Sequence, residues 1–127
     1  MICLICARSG SKGIKNKNIT KIKKKSLLQI TIQLAKKVKE IDKIILSTDS
    51  IKIANLGRKY GAIAPFIRPK HLSRDDSSEW SVWKHAVKFC QKKYNFQDVI
   101  ILPVVSPLRS LIDIKKSIKL FKKNKKK

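Results

Sequence analysis

Several features that would settle a chain's class at once are scarce or missing here. The 127 residues include only three cysteines, an odd and small number that offers no disulfide framework and suits a reducing compartment. No segment approaches the roughly 20 consecutive apolar residues of a membrane-spanning helix. The apolar run from Ile2 to Ala7 follows Met1 without a basic leader and is too short for a signal-peptide core, so a cytoplasmic location is expected. Internal repeats and linkers are lacking as well. Acidic residues are few, eight against 31 basic ones, and only five of the basic ones are arginine: Arg8, Arg58, Arg68, Arg74 and Arg109. Base reading and bidentate phosphate clamps favour arginine. The lysine excess therefore reads as a solvated face or a coding bias, with weak, salt-sensitive binding to polyanions as its expected consequence.

What is present fits one globular domain. The length allows one core and not two, and 43% apolar residues fit a packed protein despite a formal charge of +23. Leu27, Ile30, Thr31, Leu34 and Val38 recur at helical spacing within Ser26 to Lys39, with lysines opposite. Lys43 to Thr48 is a short β-branched run suited to a buried strand. Asp49 and Ser50 then offer an N-cap for a helix through Lys59, closed by Gly61. Ala62 to Ile67 reads as a further strand stopped by Pro69, and a polar loop follows from Lys70 to Ser78. Ser77 and Ser78 can cap a helix from Glu79 to Tyr94 that turns Trp80, Trp83, Val87 and Phe89 or Cys90 toward packing partners. Asp98 to Val105 is another strand, broken by Pro103, and a last helix runs from about Ile112 to Phe121. Residues 124–127 form a lysine-rich tail outside a domain spanning residues 1–123. Strands alternating with helices in this way predict an α/β fold with a parallel sheet covered on both faces.

Cys3 and Cys6 form a C-x-x-C inside the first strand, where residues three apart point to opposite faces, so neither metal nor redox chemistry is expected of them. His71 and His85 lack a metal-like partner spacing. Asp49, Asp75 and Asp76 are acidic and follow strands or loops, but a helix N-cap is the favoured role for Asp49.

The most informative stretch follows the first strand: Ala7-Arg8-Ser9-Gly10-Ser11-Lys12-Gly13-Ile14-Lys15-Asn16-Lys17-Asn18-Ile19. Gly10 and Gly13 let the backbone bend and approach a ligand, Arg8, Lys12 and Lys17 supply positive charge, and Ser11 and Asn18 add donors. That is the equipment of a phosphate-binding loop. Its spacing matches neither the P-loop nor the dinucleotide Gly-x-Gly-x-x-Gly fingerprint. In parallel sheets, ligands sit beyond the carboxyl ends of the strands, and this loop, Ser47-Thr48-Asp49, the Arg68 segment and Ser106 to Arg109 all follow predicted strands.

The run resembles the N-terminal signature of the acylneuraminate cytidylyltransferases, the CMP-sialic acid synthetase family. Four later segments agree in order: Ser26-Leu27-Leu28 with Thr31-Ile32; Ile45 to Asp49; Arg68-Pro69 with Leu72 and Asp75; and Ser106-Pro107-Leu108-Arg109. The resemblance covers Ile2 to about Phe121. It implies a Rossmann-like three-layer nucleotidyltransferase fold, and transfer of CMP from CTP to a nine-carbon keto acid sugar of the sialic, legionaminic or pseudaminic type, with release of pyrophosphate. It further implies that Arg8, Ser11, Lys12, Lys17 and Asn18 hold the triphosphate, with Lys12 or Lys17 facing the leaving pyrophosphate. Arg68 and Ser78 align with positions near cytosine and ribose, and Ser106 and Arg109 with the sugar side. Magnesium is the implied cofactor and a homodimer the implied assembly if the chain is completed.

Two departures stand out. Where the family often has Gln-Pro-Thr-Ser-Pro-Leu-Arg, this chain has Pro103-Val104-Val105-Ser106-Pro107-Leu108-Arg109, so two side chains that face the sugar in the family have become apolar. The family also runs on well beyond this length, into the late Asp-x-Asp that binds magnesium. The chain therefore reads as a nucleotide-binding N-terminal portion, its sheet incomplete at the C-terminus and its catalysis impaired alone. The alternative is a non-catalytic basic fragment that binds nucleotide or nucleic acid.

Overall fold

The computed structural model describes residues 1–7, 21–22, 25–72, 78–104 and 111–125. Strands β1 (Ile2–Cys6), β4 (Lys43–Ser47) and β5 (Val99–Pro103) form a parallel sheet in the order β4-β1-β5. Leu4 stands opposite Ile45 on one side and Ile101 on the other, and Cys6 opposite Ser47 and Pro103. A small antiparallel pair, β2 (Lys21–Ile22) with β3 (Lys25–Ser26), precedes the first helix.

Parallel neighbours need long crossovers, and the helices supply them. Helices α1 (Leu27–Lys36), α2 (Ile51–Tyr60) and α4 (Leu111–Lys125) bury Leu28, Ile32, Ile53, Ala54, Ile114 and Ile118 in a cluster with Cys3, Ile5, Leu46 and Leu102. Helix α3 (Glu79–Lys93) covers the other face, where Ala86 and Cys90 meet Ile2, Leu4 and Ile45. Strand alternation thus sends Cys3 to one layer and Cys6 toward the other, as the spacing predicts. Each fully buried Leu or Ile contributes about 1.5–3 kcal/mol, so this two-sided alternation is what holds the three layers together. No helix among the described residues is long and apolar enough to cross a membrane.

The helix ends follow from local chemistry. Ser26 caps α1, its Oγ accepting from the Gln29 N–H at 3.1 Å. Gly61 ends α2 with φ 110°, a left-handed conformation that favours glycine. Gly57 lets α2 lie close on β4, since a Cβ there would run into Leu46 Cδ2.

Four expectations are corrected. The N-cap of α2 is Ser50, whose Oγ accepts from the Ile53 N–H at 3.2 Å, and not Asp49, which stands one position too early. The segment 62–67 makes a single parallel bridge, Ile45 to Ile63, instead of a full strand, because Pro65 has no N–H to continue a ladder. Trp80 is 69% exposed: the buried stripe of α3 is Val82, Ala86 and Cys90, and Trp80 lies outside it. Helix α4 runs on through Lys125 into the supposed tail, since lysine is a good helix former and suits a helix C-terminus.

The amino edge of the sheet is fastened by charge. The Met1 ammonium donates to Asp42 Oδ2 at 2.8 Å and to the Glu40 carbonyl at 3.1 Å. That ammonium holds the Asp42 carboxyl below its ordinary range.

Candidate functional site

The carboxyl ends of β1 and β4 meet at one carbonyl. The Ala7 N–H donates to the Ser47 carbonyl at 2.9 Å, joining the residue before the Arg8 loop to the end of β4. Arg68 Nη2 donates to the same carbonyl at 3.1 Å. Arg68 is only 4% exposed. Its Nη1 donates to the Leu72 carbonyl at 3.2 Å, and its main-chain N–H to the Thr48 carbonyl at 2.7 Å. Ser47 and Thr48 are fully buried polar residues in the same place, and the Ser50 N–H donates to Thr48 Oγ1 at 3.2 Å. Ser47 Oγ is buried with no hydrogen-bond partner among the described residues.

Alternation puts Ser47 on the α3 side, next in its row after Ile45, beside Cys6. The Cys6 thiol is pushed up to about 11, first by burial and then by the Glu79 carboxylate, against the opposing pull of Arg68. It is therefore a neutral thiol at physiological pH and unsuited to nucleophilic work. His85 on α3 packs edge-on against Phe66, ring centroids 4.8 Å apart, and Phe66 in turn packs on Phe89 at 4.9 Å. Burial, then the positive charges of Arg68 and His71, hold the His85 pKa below its ordinary value. That shift favours the uncharged imidazole, the form suited to packing against the Phe66 ring.

Of the residues expected to meet nucleotide or sugar, Arg68 and Ser78 are described, and both side chains are engaged within the protein. Ser78 caps α3, its Oγ accepting from the Ser81 N–H at 3.1 Å and donating to Ser81 Oγ at 2.7 Å. Arg8, Ser11, Lys12, Lys17, Asn18, Asp75, Asp76, Ser106 and Arg109 lie outside the described residues. The described ends of their segments nonetheless converge. Ala7 leads into the first loop, Thr48 and Arg68 are hydrogen-bonded, and Val104, directly after β5, lies with Ala7 in the core cluster. Among the described residues no group of three or more His, Cys, Asp or Glu could hold a metal ion, so the described part does not by itself fit magnesium. Sequence reasoning missed the Ser47 carbonyl, and no sequence signal could have found it, because a main-chain acceptor is the same at every residue.

The parallel sheet with helices on both faces is an α/β fold of the kind whose ligands sit beyond the carboxyl ends of the strands, where the polar junction lies. The solved structure of a CMP:2-keto-3-deoxy-manno-octonic acid synthetase complexed with CTP has this fold, with a TM-score of 0.79 at 19% identity over 96% of this chain and 47% of that one. So does a cytidylyltransferase from Leptospira borgpetersenii, with a TM-score of 0.72 at 20% identity over 97% of this chain and 49% of that one.

The family is narrower than the fold: a family model described as Cytidylyltransferase matches residues 2–126, and the chain belongs to that family. Its relatives include the post-translational flagellin modification protein B of Campylobacter coli, 40% identical over 98% of this chain and 54% of the relative. The CMP-N,N'-diacetyllegionaminic acid synthase of Campylobacter jejuni is 40% identical over 84% of this chain and 46% of the relative. The N-acylneuraminate cytidylyltransferase of Escherichia coli is 34% identical over 95% of this chain and 28% of the relative. The chain thus spans about half the length, or less, of these curated relatives.

Proposed function

We propose that this chain is the nucleotide-binding portion of a cytidylyltransferase that moves CMP from CTP onto a nine-carbon keto acid sugar of the sialic, legionaminic or pseudaminic type. The observation that carries the reading is the family match across residues 2–126, together with a hydrogen-bonded junction from which the phosphate-type loop departs at Ala7. In the reaction, the anomeric hydroxyl attacks the α-phosphate in line, and the bond to the bridging oxygen breaks to release pyrophosphate. Negative charge grows on the phosphate oxygens. Arg8, Lys12 and Lys17 would neutralise it, and Ser11 and Asn18 would orient it through hydrogen bonds. Lys12 or Lys17 faces the leaving pyrophosphate, Arg68 and Ser78 border the cytosine and ribose side, and Ser106 and Arg109 the acceptor. Magnesium belongs to this reading as a family expectation, and no step is derived through it.

The acceptor end is where this chain departs from its family. Pro103 and Val105 replace a glutamine and a threonine, and a sugar hydroxyl left unpaired by such a change costs about 1–3 kcal/mol when buried.

A second reading has one observation in its favour, the net charge of +23. A basic binding fragment would take up any polyanion, indifferent to the base and steeply dependent on salt. Calorimetric titration with CTP and then ATP, each with magnesium at ~0.15 M salt, separates the two. A clear preference for CTP, weakened roughly tenfold in Lys12→Ala, supports cytidylyl transfer. Equal affinities that collapse together as salt rises would sink it in favour of the basic fragment.

A further inference from the structure

Glu79 continues the sheet-facing stripe of α3. Val82, Ala86 and Cys90 hold the buried phase of that helix, and Glu79 falls one helical turn before Val82. The helix runs against the direction of β1. Its later turns meet the amino end of the sheet, where Ala86 and Cys90 pack with Ile2 and Leu4, so its first turn stands at the carboxyl end. From Ala86 back to Glu79 the helix advances about 10 Å, and from Leu4 to Cys6 the strand advances about 7 Å. Glu79 is therefore level with Cys6 or just past it, where β1 passes into the Arg8 loop. The charges around Cys6 agree with that placement. Burial raises its thiol most, Arg68 pulls it down, and the Glu79 carboxylate raises it further, as only a nearby charge can. The strand ends beneath this turn, and Glu79 is exposed although it lies in the buried phase. A first-turn acid also meets the helix dipole, but the dipole favours any position of the turn and does not select the one that faces the site.

A carboxylate here is out of keeping with its surroundings. The chain has eight acidic residues against 31 basic ones, and the adjoining loop carries the cations read above as the triphosphate's. Negative charge aimed at phosphates opposes binding. What Glu79 can serve in a nucleotide is thus a neutral donor, and its neighbour Ser78 belongs to the cytosine and ribose side of the proposed reading. Cytosine presents a 4-amino donor that a glutamate accepts, whereas uracil presents a carbonyl oxygen at the same place. We infer that Glu79 is a specificity-determining residue whose carboxylate accepts a hydrogen bond from the 4-amino group of cytosine and turns uracil away. The role rests on the CTP reading above and gives that site its means of telling cytosine from the base most like it.

The test titrates the full chain with CTP, UTP, 2′-deoxy-CTP and ATP at one salt concentration with magnesium, as wild type and as Glu79→Gln. Loss of a negative charge raises affinity for every triphosphate, so the readout is the ratio of CTP to UTP affinity. Wild type should prefer CTP about tenfold, the order of a single well-placed base contact. In Glu79→Gln the ratio should fall close to one, chiefly through tighter UTP binding, because an amide offers uracil a donor and cytosine an acceptor. Glu79→Asp keeps the charge and withdraws the carboxylate by one methylene, and it too should lower the ratio. A ratio that neither variant moves overturns the inference. So does a loss of discrimination against 2′-deoxy-CTP with the ratio kept, which would turn the carboxylate toward the ribose. Wild type that binds CTP and ATP alike defeats the CTP reading and this role together. Wild type that prefers CTP to ATP, with a CTP to UTP ratio indifferent to both substitutions, defeats the role of Glu79 alone.

Discussion

The two faces of the sheet are built alike at their amino ends and differ at their carboxyl ends. Under α1, α2 and α4 the strands present Cys3, Ile5, Ile44, Leu46 and Leu102, and the helices answer with Leu28, Ile32, Ile53 and Ile114, apolar throughout. Under α3 the rows begin in the same way, with Ile2, Leu4 and Ile45 against Ala86 and Cys90. Further along the same rows stand Cys6 and Ser47, with Arg68 and His85 around them. Burying polar groups costs stability unless each is hydrogen-bonded, so a fold assembled for stability alone would have continued the apolar rows. The wholly apolar face is the scaffold. The mixed face carries the polar junction from which the candidate nucleotide loop leaves.

Breaking the scaffold face has the largest effect. Leu46→Ala empties a fully buried site between β4 and Gly57, and the expected loss is about 2–5 kcal/mol, read from the urea midpoint. Loss below about 1 kcal/mol would mean that α2 collapses onto the gap and the face is less tightly packed than described. A smaller contrast sets the cap residues against each other. Ser50→Ala and Ser78→Ala each remove one N-cap acceptor and should each cost about 1 kcal/mol. Only Ser78→Ala should also weaken CTP binding, since the proposed reading assigns Ser78, and not Ser50, to the cytosine and ribose side; equal affinities in the two variants would confine Ser78 to capping.

The smallest effect is a pH dependence that belongs to the mixed face. His85 has a folded pKa held below the ordinary 6.5, so the unfolded chain takes up the proton first as pH falls. The stabilisation is complete above 6.5 and is lost as pH falls from there through the folded value. His85→Gln should flatten this part of the stability profile while leaving the shape above neutrality alone. A profile unchanged by the substitution would place the acid sensitivity elsewhere, with Asp42 and the Met1 ammonium as the next pair to test.

Much of the scaffold could be read in advance because it is written in periodicity. The β-branched run before Asp49, the glycine closing α2 and the apolar stripe of α1 each have a local physical cause, and each element forms where that cause lies. The errors came where tertiary geometry overrides local signals. Trp80 is large and apolar, but helical phase decides burial, and Val82, Ala86 and Cys90 hold the inward phase. Segment 62–67 has β-branched composition, but Pro65 interrupts its ladder after one bridge. The family was legible as a set of segments in order, because charged and glycine-bearing loops stand out against apolar strands. The Arg68 contacts were not, since both of its side-chain acceptors are backbone carbonyls.

The strand order also has a kinetic meaning. The central strand of the described sheet, β1, leaves the ribosome before both of its neighbours, and Ile2 must wait for Lys43 on one side and Val99 on the other. Contacts between residues so far apart in sequence form slowly, because the loop must close before the pairing rewards it. Until β5 is synthesised, the apolar strand β1 has an open edge, and unpaired edges of this kind are where nascent chains associate wrongly. The order of elements therefore leaves this edge exposed during synthesis, independent of how stable the finished sheet is.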